Sequence, residues 1–152
     1  MNLNQIASQI LNCQRCGLRE NASAPVPGVG SPTAKYLILG EAPGKNEDKY
    51  GVPFVGAAGR RLNRLLDLAG IDINDCYLSN VCHCWPPKVK GKQRAPRKAE
   101  RLACYPWLKA EVSIIKPSVV IPLGATPLSL FTDTGITQLH GTQFQYEWEI
   151  DE

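Results

Sequence analysis

Tyr36-Leu37-Ile38-Leu39-Gly40-Glu41-Ala42-Pro43-Gly44 is a short apolar run that ends in a glycine-rich turn carrying one acid. An uninterrupted apolar run closed by turn residues, and too short for a helix, predicts a parallel strand buried on both faces. Residues 76–79, ending at Asn80, and residues 118–123, ending at Gly124, carry the same signal. Helical signals separate them. Residues 4–11 read as a short helix running towards Cys13. Within residues 58–68 and just beyond, Leu62, Leu65, Leu66 and Ala69 recur at helical spacing, with Arg60, Arg61, Asn63 and Arg64 on other faces and Gly70 as a stop. Pro96 suits the first turn of a helix carrying Leu102, Ala103, Leu108 and Val112, and Gly124 opens a short helical stretch through Leu128 and Phe131. Residues 144–150 alternate as a last, edge strand would. Strands alternating with helices predict an α/β three-layer sandwich around a central, largely parallel four-stranded sheet, with residues 1–152 as a single domain. Ligands of such sheets sit beyond the carboxyl ends of the strands, where Gly40, Glu41, Asn80 and Gly124 fall.

The chain of 152 residues, 43% hydrophobic, is long enough to bury a core. It has no apolar run near the roughly 18 residues of a membrane span and no basic-then-apolar leader pattern. A soluble, cytoplasmic protein is expected. In that reducing setting the six cysteines point to metal ligation or buried thiols rather than disulfides. A net charge of +3 is too small to define a partner by itself, but its distribution is uneven. Lys88, Lys90, Lys92, Arg94, Arg97, Lys98 and Arg101 crowd one stretch, which reads as a DNA-binding surface or as a solvated charge run.

That basic stretch lies between Cys84 and Cys104, while Cys13-Gln14-Arg15-Cys16 is a C-x-x-C pair whose spacing lets two thiolates face one metal. Cys13, Cys16, Cys84 and Cys104 are read together as the ligands of one centre. Four thiolates suit either a tetrahedral zinc ion or a cubane iron–sulfur cluster, and spacing leaves both open. Cys82 is a rival for the ligand role. Cys76 reads as a core residue.

Gly44-Lys45 invites comparison with a phosphate-binding P-loop, but Leu39 stands where its first glycine belongs and Asn46 where its Ser or Thr belongs. The glycines instead let backbone approach a ligand closely, with Glu41 projecting an acid at the crevice. Phe54, held in Gly51-Val52-Pro53-Phe54-Val55-Gly56, has the setting of a stacking platform for a planar base.

Taken in order, Gly40-Glu41-Ala42-Pro43-Gly44, Glu47-Asp48, the Gly-x-Pro-Phe-Val-Gly-x-Ala-Gly run of residues 51–59, Tyr77-x-x-Asn80, Cys84-x-Pro86-Pro87 and Cys104-x-Pro106-x-Leu108 resemble the family 4, iron–sulfur uracil-DNA glycosylases. With the C-x-x-C pair, the resemblance covers about residues 6–141. It implies a uracil-DNA glycosylase-like fold and a 4Fe-4S cluster on Cys13, Cys16, Cys84 and Cys104. It also implies hydrolysis of the N-glycosidic bond of uracil in single- or double-stranded DNA. Glu41 would be catalytic, with Glu47 a second acidic candidate; Gly40, Ala42, Phe54 and Asn80 would bind uracil, Phe54 by stacking and Asn80 by reading the amide edge. The chemistry agrees, because a flipped uracil needs a π-face and an amide partner for O4 and N3–H. A carboxylate near the sugar offsets the positive charge that builds as the bond breaks.

The match also departs from the family. Members carry a His-Pro-Ser type motif beyond the last strand, and neither His83 nor His140, which is followed by Gly141-Thr142, fits it; Trp85 stands where arginine is usual. Reduced activity is expected from a missing leaving-group donor, which is worth about a hundredfold. The alternative is a non-catalytic iron–sulfur module that binds DNA or a replication or repair protein.

Overall fold

The computed structural model describes residues 1–148. Helix α1 (Leu3–Leu11) starts on Asn2, whose side chain accepts the Gln5 N–H, and buries Ile6 and Ile10. After α2 (Leu18–Asn21) come β1 (Val29–Gly30), β2 (Tyr36–Gly40), α3 (Lys45–Tyr50) and α4 (Ala57–Ala69). A short 3-10 turn (Ile73–Asp75) leads to β3 (Cys76–Asn80), then to a hairpin of β4 (Lys88–Val89) and β5 (Lys92–Gln93) and to α5 (Lys98–Ile115). Strand β6 (Val119–Pro122), α6 (Ala125–Leu128) and α7 (Ile136–Leu139) follow.

The sheet runs β1-β3-β2-β6, with β3, β2 and β6 parallel and β1 antiparallel on the edge. Alternation along β2 divides the core. Leu37 and Leu39 join Tyr77, Val81, Leu108, Val112 and Ile115 on the α5 side, while Ile38 joins Leu62, Leu66 and Cys76 on the α4 side. Two buried faces explain why β2 is apolar throughout. Helix α4 keeps the expected stop, Gly70 at φ 69°, but only Leu62 and Leu66 of its predicted stripe are buried; Leu65 is outside.

Two expectations are corrected. The fourth strand is Val29–Gly30, a stretch that carries no strand signal in the sequence. Gly30 fits there because its φ is 142° and a Cβ would overlap the Cys76 carbonyl. Residues 144–148 form no strand; Tyr146 and Trp148 pack edge-on against Phe131, with ring centroids 4.9 and 5.1 Å away. A period-two pattern arises equally from an extended segment pressing alternate rings on one surface. The rest of that predicted strand lies outside the described residues. Among the described residues no helix is long and apolar enough to cross a membrane.

Candidate functional site

Strands β2 and β3 are neighbours in register, Gly40 opposite Asn80, and their ladder continues as Val81 and Cys82 donate to the Gly40 and Glu41 carbonyls. Parity then fixes direction. Residues of even number in β2 and β3 face α4, so Gly40 and Asn80 open towards the same side as Ile38 and Cys76. Phe54 closes that side. A Cβ at Gly40 would overlap Asn80 Oδ1 and lie 2.9 Å from Phe54 Cζ, so the bare backbone, the amide and the ring converge on one point.

Phe54 holds φ at 56°, a left-handed conformation uncommon for an aromatic residue. Such strain persists where surroundings over-determine it. Here α4 enters so closely that a Cβ at Gly59 would overlap the Phe54 carbonyl, which explains the last glycine of the Gly-x-Ala-Gly run. Glu47 braces the same loop: its Oε1 accepts the Gly56 N–H at 3.2 Å, and its Oε2 lies 2.8 Å from where a Gly44 Cβ would stand. Its carboxylate therefore bridges the two glycine turns. Glu41 accepts a hydrogen bond from Thr126 on α6, through Oε2, and Oε1 keeps no protein partner among the described residues. Ala42 packs half-buried against the α5-side core.

The cysteines assemble on the other face. Cys13, Cys16, Cys84 and Cys104 line one small cavity, together with Ile10, Leu18, His83 and Trp107. Cys76 and Cys82 stand outside it, and all six thiols are free. Two sulfurs already receive N–H donors, Cys13 from Trp107 Nε1 at 3.1 Å and Cys104 from the His83 backbone at 3.3 Å. A hydrogen bond with Cys82 holds the Cys104 thiol below its ordinary range and Cys82 above it. Burial first, and then the charges of Cys104, Cys16 and Cys13, push Cys84 up to about 12. Among the described residues no three His, Cys, Asp or Glu side chains close to single-ion spacing. Four cysteines around one space are a donor set that either zinc or an iron–sulfur core accepts.

A family profile described as the uracil DNA glycosylase superfamily matches residues 27–149. The chain is 34% identical to a type-4 uracil-DNA glycosylase of Sulfurisphaera tokodaii, over 99% of this chain and 70% of the relative. The Thermotoga maritima type-4 enzyme is 38% identical over 93% of this chain and 73% of its own length. The chain belongs to the uracil DNA glycosylase superfamily. A third type-4 relative, from Saccharolobus solfataricus, is 40% identical over 81% of this chain but only 56% of the relative, so such glycosylases extend beyond the matched region.

The cationic stretch is partly redirected. Lys88, Lys90 and Lys92 are exposed on the hairpin, and Arg97 and Lys98 are exposed at the start of α5. Arg94 is the correction: both its Nη atoms bind Glu100, at 2.8 and 2.7 Å, which withdraws it from phosphate contact. Glu100 also accepts the Arg97 N–H and so closes the first turn of α5.

Other residues of this glycosylase-like site escaped the sequence reading. Asp48 is buried and accepts both the N–H and the hydroxyl of Ser23, tying the N-terminal segment to α3. Glu111, 1% exposed, accepts from Gly28 N, Tyr77 Oη and Ser79 Oγ, with His83 Nε2 at 3.7 Å. Its signal was available, since it falls on the same helical stripe as Leu108, Val112 and Ile115. Glu111→Ala is expected to cost about 3–5 kcal/mol, because several buried donors lose their common acceptor. Urea unfolding checks this, and a loss under about 1 kcal/mol contradicts it.

Proposed function

We propose that this chain excises uracil from DNA in base excision repair. The observation that carries the reading is the convergence of Gly40, Phe54 and Asn80 on one point at the carboxyl ends of two adjacent parallel strands. A flipped uracil stacks on Phe54 and pairs its O4 and N3–H edge with the Asn80 amide, while the Cβ-free Gly40 lets the amide and the ring approach the strand end. Thr126 orients the Glu41 carboxylate through one oxygen. The other oxygen serves the attacking water and the positive charge developing on the sugar. Glu47 supports this chemistry by holding the turns that carry Glu41 and Phe54.

Cys13, Cys16, Cys84 and Cys104 would hold a 4Fe-4S cluster. Four cysteines lining one space, two of them with N–H donors to sulfur, support a thiolate-bound cluster, and the type-4 relatives favour iron–sulfur over zinc. When bound, such a cluster supplies a cross-link between the N-terminal segment and α5. The pocket lies across the sheet from it, so excision rests on Glu41, Phe54 and Asn80.

The test is excision from uracil-containing single- and double-stranded oligonucleotides, run on a preparation whose iron and zinc contents are measured. An abasic product with iron present is the expected result. No product at stoichiometric protein overturns catalysis, and zinc without iron overturns the cluster. Binding of DNA without excision favours a second reading, a module docked on a replication or repair protein. The exposed Leu65 and Leu68 beside Arg61 and Arg64 on α4 support that reading.

A further inference from the structure

The stretch between Cys84 and α5 was read from sequence as a cationic loop, but it folds as a hairpin with a turn of defined type. Lys90 at φ 51° and Gly91 at φ 76° are two consecutive left-handed residues, the signature of a two-residue type I′ connection. Its base is fastened to the pocket. Trp85 Nε1 donates to Gln93 Oε1 at 3.2 Å, Gln93 Nε2 donates to the Pro43 carbonyl at 3.2 Å, and Asn21 Nδ2 holds the Trp85 carbonyl at 3.1 Å. Pro43 belongs to the turn that carries Gly40 and Glu41. The hairpin is thus held in fixed relation to the pocket.

Cross-strand partners share a face and successive residues alternate. Lys88 pairs with Gln93 and Val89 with Lys92, so Val89 and Lys92 occupy the face opposite Gln93, away from the Pro43 turn. Val89 is 51% exposed, an apolar side chain set among three lysines. None of those lysines forms an ion pair among the described residues.

We propose that this hairpin is a wedge for duplex DNA, with Val89 entering the stack where uracil leaves it and Lys88, Lys90 and Lys92 holding the flanking phosphates. The inference rests on the reading that uracil is flipped into the pocket of Gly40, Phe54 and Asn80. Flipping from a duplex leaves a gap and forfeits stacking, and an inserted apolar side chain flanked by cations offsets both. Lysines alone neutralise phosphates at any position along the strand. An apolar residue on the outer face of a pinned hairpin adds preference for a gap in the stack. The Trp85–Gln93–Pro43 chain sets the spacing between wedge and pocket.

The test compares wild type with Val89→Ala in two assays. In single-turnover excision, uracil in a duplex is expected to be released about tenfold more slowly by the variant, while single-stranded substrate, with no stack to fill, stays within about twofold. In fluorescence anisotropy, the variant is expected to lose about tenfold in affinity for a duplex with an abasic site and to keep its affinity for an intact duplex. Equal changes on both members of each pair, or no change on either, overturn the wedge. Wild type that releases uracil from neither substrate overturns the excision reading instead. The anisotropy arm still decides the hairpin in that case: a gap preference lost in Val89→Ala supports it, and no gap preference in wild type refutes it.

Discussion

Gly40→Ala is expected to lower kcat/KM for uracil excision by about a hundredfold or more while the protein stays folded. The added carbon would overlap Asn80 Oδ1 and stand 2.9 Å from Phe54 Cζ. Neither neighbour yields cheaply. Asn80 is 4% exposed at the end of a paired strand, and Phe54 is locked at φ 56° beneath the first turn of α4. The methyl therefore pushes the amide and the ring off their positions, and a misplacement of about 1 Å costs about a hundredfold. Gly17→Ala is the matching control, because nothing lies within 4 Å of its Cβ position. Single-turnover kinetics and inhibition by free uracil measure the loss, and thermal unfolding shows that the fold survives. Excision near the wild-type rate in Gly40→Ala would remove the pocket from this part of the sheet.

The convergence of Gly40 and Asn80 was legible because both residues fall at places where backbone geometry leaves little choice. A strand that must be buried on both faces is apolar, and the glycine after it marks where the chain meets a ligand; the run from Tyr36 to Gly44 carries both signals. Gly70 ended α4 as read, since a left-handed stop favours glycine. The illegible parts depend on partners distant in sequence. Val29–Gly30 became a strand only because β3 offered an open edge, and two residues carry no periodicity of their own. Arg94 looked like any other cation in its run until Glu100, six residues later, claimed it. Thr126 and Gln93 were missed for the same reason: a hydroxyl or an amide has no preferred pattern, and its role appears only when Glu41 or Pro43 is beside it.

The sheet also separates two tasks. Even-numbered residues of β2 and β3 face the α4 side, where the proposed pocket lies, while Tyr77 and Ser79 turn towards Glu111 on the α5 side, where the cysteine cavity lies. Under the proposed function, substitutions on the α5 side act on stability, and those at Gly40, Phe54 or Asn80 are expected to act on the base. The two sets report on different claims.

Cys104→Ala is expected to release the metal and to lower the melting temperature by about 10–20 °C. Structural metal sites contribute about 10–16 kcal/mol of folding free energy in small domains, against a total stability of about 5–15 kcal/mol, so loss of even a third of that contribution is about 5 kcal/mol. Cys104 is 9% exposed in the middle of α5, accepts the His83 N–H, and has its thiol pKa lowered by a hydrogen bond with Cys82, which lies outside the cavity lining. Cys76→Ala provides the contrast. Cys76 is also buried, but it packs with Ile38, Leu62 and Leu66 across the sheet, where its thiol donates to the Asp72 carbonyl at 3.5 Å. That change should leave metal content intact and cost about 1 kcal/mol. Iron analysis and thermal unfolding of the two variants side by side check the assignment. Metal retained in Cys104→Ala and lost in Cys76→Ala would mean that the cavity between α1 and α5 is an ordinary packing defect and that the centre lies elsewhere.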